Sequence, residues 1–235
     1  FFFFFFFFCF VLVPQVPRFA VPNAMLLRHV EKILNASVMT AQGGAADGVW
    51  SGFSVDESTL MPHQADAVDD MLRRDEHGCP GHFMVMDTGL GKTLTSIHYL
   101  NALLARHPTL ASTVLWTAPH DITTHTAEEI ARWNKRPGYH VPVCALAETG
   151  VPRPGHINVV SQDMLRRKVK VGGRAHASQL VADVLTDHAP TMIMVVDEVD
   201  MCYAATQRTS HAHRLAALVP KLVCQVLTTN TEPVK

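Results

Sequence analysis

The sequence predicts a three-layer α/β domain with a mainly parallel central sheet and helices on both faces. Three observations carry that expectation. Short, almost wholly apolar runs at 82–86, 191–196 and 222–227 have the composition of strands buried on both sides. Amphipathic segments with helical spacing fall between the strand-like runs. A glycine-bearing turn joins the first apolar run directly to a helix. With 48% hydrophobic and 17% charged residues, the chain has the composition of a globular protein with a sizeable core and not of a disordered one.

The turn is the most informative stretch. Met84 to Thr93 reads Met-Val-Met-Asp-Thr-Gly-Leu-Gly-Lys-Thr. Gly89 and Gly91 allow the backbone to approach a polyphosphate and to turn its N–H groups toward it. Lys92 supplies a positive charge for the β- and γ-phosphates, and Thr93 a hydroxyl for Mg²⁺, at the positive end of the helix that follows. Thr88, Gly89, Leu90, Gly91, Lys92 and Thr93 are thus the candidate phosphate-binding residues. Leu94, Ile97, Leu100 and Leu103 recur every three residues and leave Thr95, Ser96 and Asn101 on other faces. The strict pattern has glycine where this chain has Met86; the competing reading is an incidental glycine turn.

From its start, the chain of 235 residues suits one domain of ordinary or slightly large size. A net charge of −1 gives no global sign of nucleic-acid binding, so such a surface would be local. The five cysteines stand singly, without Cys-x-x-Cys spacing, which excludes a zinc ribbon and reads as reduced thiols in an intracellular protein of the nucleus or cytoplasm. His211 and His213 could chelate a metal but fit a solvated helix surface better. Residues 1–24 begin with eight phenylalanines and read as an apolar low-complexity tail outside the fold. The run is too short to span a bilayer and lacks the basic start of a signal peptide, so no stable membrane association is expected. Residues 25–55 read as a leading helix and a Gly/Ala/Ser-rich linker, and 56–235 as the compact domain.

Leu60-Met61-Pro62-His63-Gln64 opens a helix, with Pro62 suited to its first turn. Gln64 carries both a donor and an acceptor, the equipment to read the edge of adenine, and precedes Lys92 by 28 residues. Thr113 to Pro119 is a strand ending in proline, followed by a helix with Ile122, Ala127, Ile130 and Trp133 on one side. Short strands are expected at 141–146 and 157–160. Arg166 to Arg174 then places five basic residues among nine, either a solvated face or a contact with a phosphate backbone. A helix is expected from Ser178 to Asp187. The apolar run Thr191 to Val196 ends in Asp197-Glu198-Val199-Asp200. Carboxylates at the end of a buried strand are costly unless a positive group meets them. Mg²⁺ beside the phosphate loop is that partner, with Asp197 holding the metal and Glu198 orienting and deprotonating water. The plain alternative is a helix start capped by aspartate. The last strand runs into Thr228-Thr229.

In this order the motifs resemble the first RecA-like lobe of a superfamily-two helicase, a P-loop NTPase domain. Within that group they look most like the Swi/Snf-type DNA translocases and their viral relatives. Leu60 to Gln64 looks like the adenine-recognising Q-type motif, Asp87 to Thr93 like motif I, and Thr117-Ala118-Pro119 like motif Ia. Asn158 to Leu165 occupies the place of the motif Ib region, Asp197 to Asp200 looks like motif II, and Leu227 to Thr231 like motif III. Motif II reads Asp-Glu-Val-Asp where the Swi/Snf group usually ends in histidine. Motif III reads Leu-Thr-Thr-Asn-Thr instead of Leu-Thr-Gly-Thr-Pro.

The resemblance implies ATP and Mg²⁺ as cofactors, with Lys92, Asp197 and Glu198 catalytic, Gln64 on the adenine, and Thr93 and Asp197 on the metal. It implies nucleic acid, double-stranded DNA in particular, as partner, with Pro119, Arg166, Arg167, Lys168, Thr228 and Thr229 on the nucleic-acid or coupling side. It also implies a second RecA-like lobe, in the full-length protein or in trans, carrying the arginine finger. Two other classes compete with an ATP-driven translocase: a remnant that binds nucleotide or partners without turnover, and a small-molecule P-loop kinase, which would need a lid and acceptor-binding residues.

Overall fold

The structure is a computed structural model and describes residues 10–12, 60–87, 89–133, 142–169, 179–198, 211–212 and 214–228. Its strands are β1 (Phe10–Leu12), β2 (Gly81–Asp87), β3 (Thr113–Ala118), β4 (Val143–Ala145), β5 (Ile157–Ser161), β6 (Lys168–Val169), β7 (Gln179–Leu180), β8 (Met192–Val196) and β9 (Lys221–Thr228). Its α-helices are α1 (Pro62–Glu76), α2 (Lys92–Arg106), α3 (Thr123–Trp133) and α4 (Val181–His188). Seven strands form one sheet in the order β1-β2-β9-β8-β3-β5-β4, with every neighbouring pair parallel. The arrangement is the RecA-like α/β fold.

Side chains alternate across this sheet with period two, and each set meets its own layer of helices. Met84, Met86, Val114, Trp116, Ile157, Val159, Ile193, Val195 and Val223 pack with α1, α2 and α3. Phe83, Val85, Leu115, Val160, Met192, Met194, Val196, Leu222 and Cys224 pack with α4 and the segment around Leu215 and Val219. Strands covered on both faces have no room for polar alternation, which is why these runs are apolar throughout.

The element limits differ little from expectation, with three exceptions. Phe10–Leu12, expected to lie outside the fold, pair in parallel with Phe83–Val85 as the edge strand β1. An apolar tripeptide beside an otherwise open sheet edge satisfies backbone groups that would remain unpaired there. The expected helix from Ser178 starts three residues later, because Gln179–Leu180 pair antiparallel with Lys168–Val169. Finally, α2 is buried all round from Leu94 to Leu104, so Thr95, Ser96 and Asn101 do not face solvent. The helix is enclosed by the sheet, α1 and α3. Thr95 donates to the Gly91 carbonyl at 3.0 Å and Ser96 accepts from Gln225 at 2.7 Å. Thr88, Thr229, the leading helix and linker of 25–55, and the end of the basic run lie outside the described residues.

Candidate nucleotide and catalytic site

The candidate site lies at the carboxyl ends of β2 and β8, the strands that lead into Lys92 and Asp197 and lie either side of β9. Strand β2 continues through Asp87, so Met86 is still a strand residue, buried in the core and paired with Leu227. The chain leaves the strand only after that point, and for this reason no glycine is needed at Met86. Gly89 and Gly91 have φ of 84° and 82°, the left-handed region that side chains resist. Gly91 caps α2, which puts Lys92 and Thr93 in the first helical turn, both half-buried.

Helix α1 braces this loop. The Gln64 amide donates from Nε2 to the Leu90 carbonyl at 2.8 Å, and its Oε1 accepts from the Met61 N–H at 3.0 Å. The His63 ring also reaches the Leu90 carbonyl, at 3.3 Å. The φ of Gly91 favours glycine, and a Cβ there would also run into the Gln64 amide and force it to shift. The Lys92 ammonium donates to the Met86 carbonyl at 3.3 Å.

Asp197 follows β8 and is buried, with its N–H donating to the Thr117 carbonyl at 2.9 Å. Burial and then the charge of Glu198 raise its carboxyl to about 6, against the lowering pull of Lys92. A carboxylate so placed lacks enough positive charge around it. Thr93 and Asp197 carry hard oxygen donors of the kind Mg²⁺ takes, and would be the residues to hold it. Among the described residues no cluster of three or more His, Cys, Asp or Glu could hold a metal by itself. Glu198 is the one described non-glycine residue with positive φ, 45°. Its N–H donates to Asp197 Oδ1 at 3.1 Å, a geometry that does not cap a helix.

The candidate nucleic-acid residues are less uniform than their sequence. Pro119 follows β3, and its carbonyl accepts from the Thr123 hydroxyl at 2.8 Å. Arg166 ends a 3₁₀ turn, Gln162–Arg166, and pairs with Asp163 at 2.5 Å; Arg167 faces Glu148 at 3.8 Å. Lys168 is exposed on β6. Two of the three cations are therefore matched by carboxylates, at exposed sites where such pairs are weak and exchangeable. Thr228 ends β9 opposite Asp87, the last residue before the phosphate loop.

Gln162, inside the stretch that resembles the motif Ib region, has a contact that its sequence context does not single out. Its Nε2 donates to the Asp197 carbonyl at 3.1 Å, across the end of β3. The available signal was a lone amide one residue past an apolar strand, at the edge of the sheet where ligands bind.

No described helix is long and apolar enough to cross a membrane. Comparison with curated proteins gave no match. Comparison with protein families matched the SNF2-related domain at residues 63–215, more than half of the chain. Members of that family are helicase-like, DNA-dependent ATPases that use ATP and Mg²⁺ and bind nucleic acid. The match runs from the helix that braces the phosphate loop, through Lys92 and Asp197, to the helical segment before β9, and on that evidence the chain belongs to the SNF2-related domain family.

Proposed function

We propose that this chain is the first motor lobe of an ATPase that translocates along or remodels double-stranded DNA. The observation that carries the reading is the placement of Lys92, which starts the helix after the turn that follows β2, and the buried Asp197, which follows β8, at the same end of one parallel sheet in a chain of this family. The two residues are 105 positions apart in sequence and share one electrostatic site.

In this reading the N–H groups from Thr88 to Thr93 and the Lys92 ammonium bind the β- and γ-phosphates of ATP. Gln64 holds the loop through Leu90 and reads adenine with the second N–H and second lone pair of its amide. Thr93 and Asp197 hold Mg²⁺, which when bound neutralises phosphate charge. Glu198 accepts a proton from the attacking water. Pro119, Arg166, Arg167 and Lys168, with Thr228 and Thr229, form the side that meets DNA. A second RecA-like lobe, in the same protein or in trans, closes over the nucleotide; an arginine finger from it would add on the order of 10³–10⁵ in rate.

Calorimetry with Mg-ATP on the chain, beside Lys92→Ala and Glu198→Gln, tests this. Wild type binds, Lys92→Ala loses binding, and Glu198→Gln binds but loses turnover that duplex DNA stimulates in the wild type. A folded wild type that binds no Mg-ATP would sink the proposal. Tight binding with no turnover, even with a second lobe supplied, would favour a nucleotide-binding remnant.

A further inference from the structure

Gln162 is almost fully buried, yet it belongs to the turn that presents the basic segment. Ser161, the last residue of β5, accepts the Met164 N–H on its hydroxyl at 3.3 Å and so starts the 3₁₀ turn Gln162–Arg166. The Arg167 N–H closes the turn on the Met164 carbonyl at 2.9 Å, and the Arg167 carbonyl accepts from Val181 N–H at 2.8 Å. Lys168 is then held opposite Leu180 in the small β6–β7 sheet. Leu165, on the same turn as Gln162, is also buried, while Arg166, Arg167 and Lys168 are exposed. The basic segment and Gln162 are therefore two ends of one short, hydrogen-bonded piece of chain.

The inner end grips a particular peptide bond. Its carbonyl, that of Asp197, accepts from Gln162 Nε2 at 3.1 Å, and its N–H, that of Glu198, donates to Asp197 Oδ1 at 3.1 Å. Both polar groups of the Asp197–Glu198 peptide are thus hydrogen-bonded, and the residue that follows this peptide, Glu198, has a φ of 45°. A non-glycine residue holds that conformation only where its surroundings impose it. The orientation of the Gln162 amide is unambiguous, since only its NH₂ can face a carbonyl. Its Oε1 is buried without a hydrogen-bond partner, so nothing on that side anchors the amide against a small movement of the turn.

We infer that Gln162 is a positioning residue that couples the basic turn Arg166–Lys168 to Glu198, so that DNA held on the turn reorients the Asp197–Glu198 peptide. The proposal rests on the nucleotide and DNA reading above and adds the route between the two. A duplex phosphate that draws Arg166 or Arg167 away from its carboxylate shifts the 3₁₀ turn, and with it the Gln162 donor on the Asp197 carbonyl. Relaxing or tightening that bond turns the peptide and re-aims the Glu198 side chain.

The test uses the full ¹⁵N-labelled chain, the Glu198 amide resonance and a short DNA duplex, without nucleotide. In the wild type, saturating duplex shifts the Glu198 resonance. In Gln162→Met, which keeps length and apolar packing but removes the donor, that shift is lost while duplex affinity stays within twofold. DNA-stimulated turnover in the same variant falls roughly tenfold in kcat, the rate equivalent of one neutral hydrogen bond, with KM for ATP unchanged. Should Gln162→Met fail to fold, Gln162→Asn, whose amide is one methylene too short to reach, takes its place. A Glu198 response equal in wild type and variant overturns the coupling, as does a wild-type chain whose Glu198 resonance ignores bound duplex or that binds no duplex. A wild type that shows the response but hydrolyses no ATP counts against the hydrolysis reading alone and leaves the coupling standing.

Discussion

The ammonium of Lys221 lies 2.7 Å from Asp75 Oδ1, joining the first residue of β9 to the end of α1 across 146 positions of sequence. Both side chains are buried, and Lys221 also donates to the Cys79 carbonyl. The same carboxylate accepts from His82 at 2.6 Å and from the Tyr99 hydroxyl at 2.8 Å. Four elements, α1, β2, α2 and β9, are tied at one carboxylate, at the end of the sheet away from the phosphate loop.

Removing one partner of this pair should be costly, because the other charge stays buried. Lys221→Met is expected to lower stability by about 3–5 kcal/mol, the range for a broken buried pair. Urea unfolding of the chain checks this; a loss below about 1 kcal/mol would show that Asp75 finds its compensation in His82 and Tyr99 alone.

The same cluster predicts acid sensitivity. Burial disfavours the imidazolium of His82 and outweighs the hydrogen bond and charge of Asp75, so its pKa lies below 6.5. Burial pushes the Asp75 carboxyl up, but hydrogen bonding and charge from His82 and Lys221 outweigh that and hold it below 3.8. For His82 the unfolded chain binds a proton first as the pH falls below 6.5, so stability declines from there downward; Asp75 adds a further loss below 3.8. Near pH 7, where His82 is neutral, the ion pair at the centre is Asp75 with Lys221. His82→Gln keeps a donor toward Asp75 and should flatten the slope of stability against pH below 6.5. An unchanged slope would assign it to other groups.

Gly89 and Gly91 share a left-handed backbone but not the same surroundings. A Cβ on Gly89 meets nothing within 4 Å, whereas one on Gly91 meets the Gln64 amide. Gly89→Ala should cost about 1 kcal/mol for backbone strain alone. Gly91→Ala should cost more and weaken Mg-ATP binding at least tenfold, because it displaces the brace on Leu90. Melting temperatures and calorimetry on the two variants side by side would expose an error here if Gly89→Ala proved the worse.

Gln64→Ala separates two uses of one amide. Loss of the bonds to Met61 and Leu90 should weaken ATP and GTP alike, and loss of the adenine contact should weaken ATP further. Calorimetric titration with both nucleotides gives the ratio; equal losses would confine Gln64 to bracing the loop.

Asn101 sits in the middle of α2 with both polar atoms of its side chain buried and unpartnered. An unpaired buried amide is destabilising, so Asn101→Leu, of similar shape, should raise stability by about 1 kcal/mol. A decrease in the urea midpoint would mean that the amide has a partner, such as a buried water, that the leucine expels.

Much of this protein is legible without coordinates because its signals are local. The apolar runs at β2, β8 and β9 report strands covered on both faces, and Gly89, Gly91, Lys92 and Thr93 carry their chemistry within five residues. Asp197 was legible for a similar reason, as a carboxylate that ends an apolar strand. Periodicity was less informative for α2. A helix that is buried all round shows the same leucine spacing as one that is half exposed, and only its neighbours reveal that Ser96 and Asn101 are inside.

By itself, then, the sequence determined the α/β class and the order of elements along the chain, and it singled out the candidate residues for phosphate and metal. Each of these follows from composition or spacing over a few residues. The tertiary structure decided what depends on strand order. It placed β9 between β2 and β8, added Phe10–Leu12 to the edge of the sheet, brought Lys221 onto Asp75, and laid Gln162 across β3 onto the peptide before Glu198. Parallel strands are joined by crossovers and need not be neighbours in sequence, so no local pattern encodes which strand ends meet.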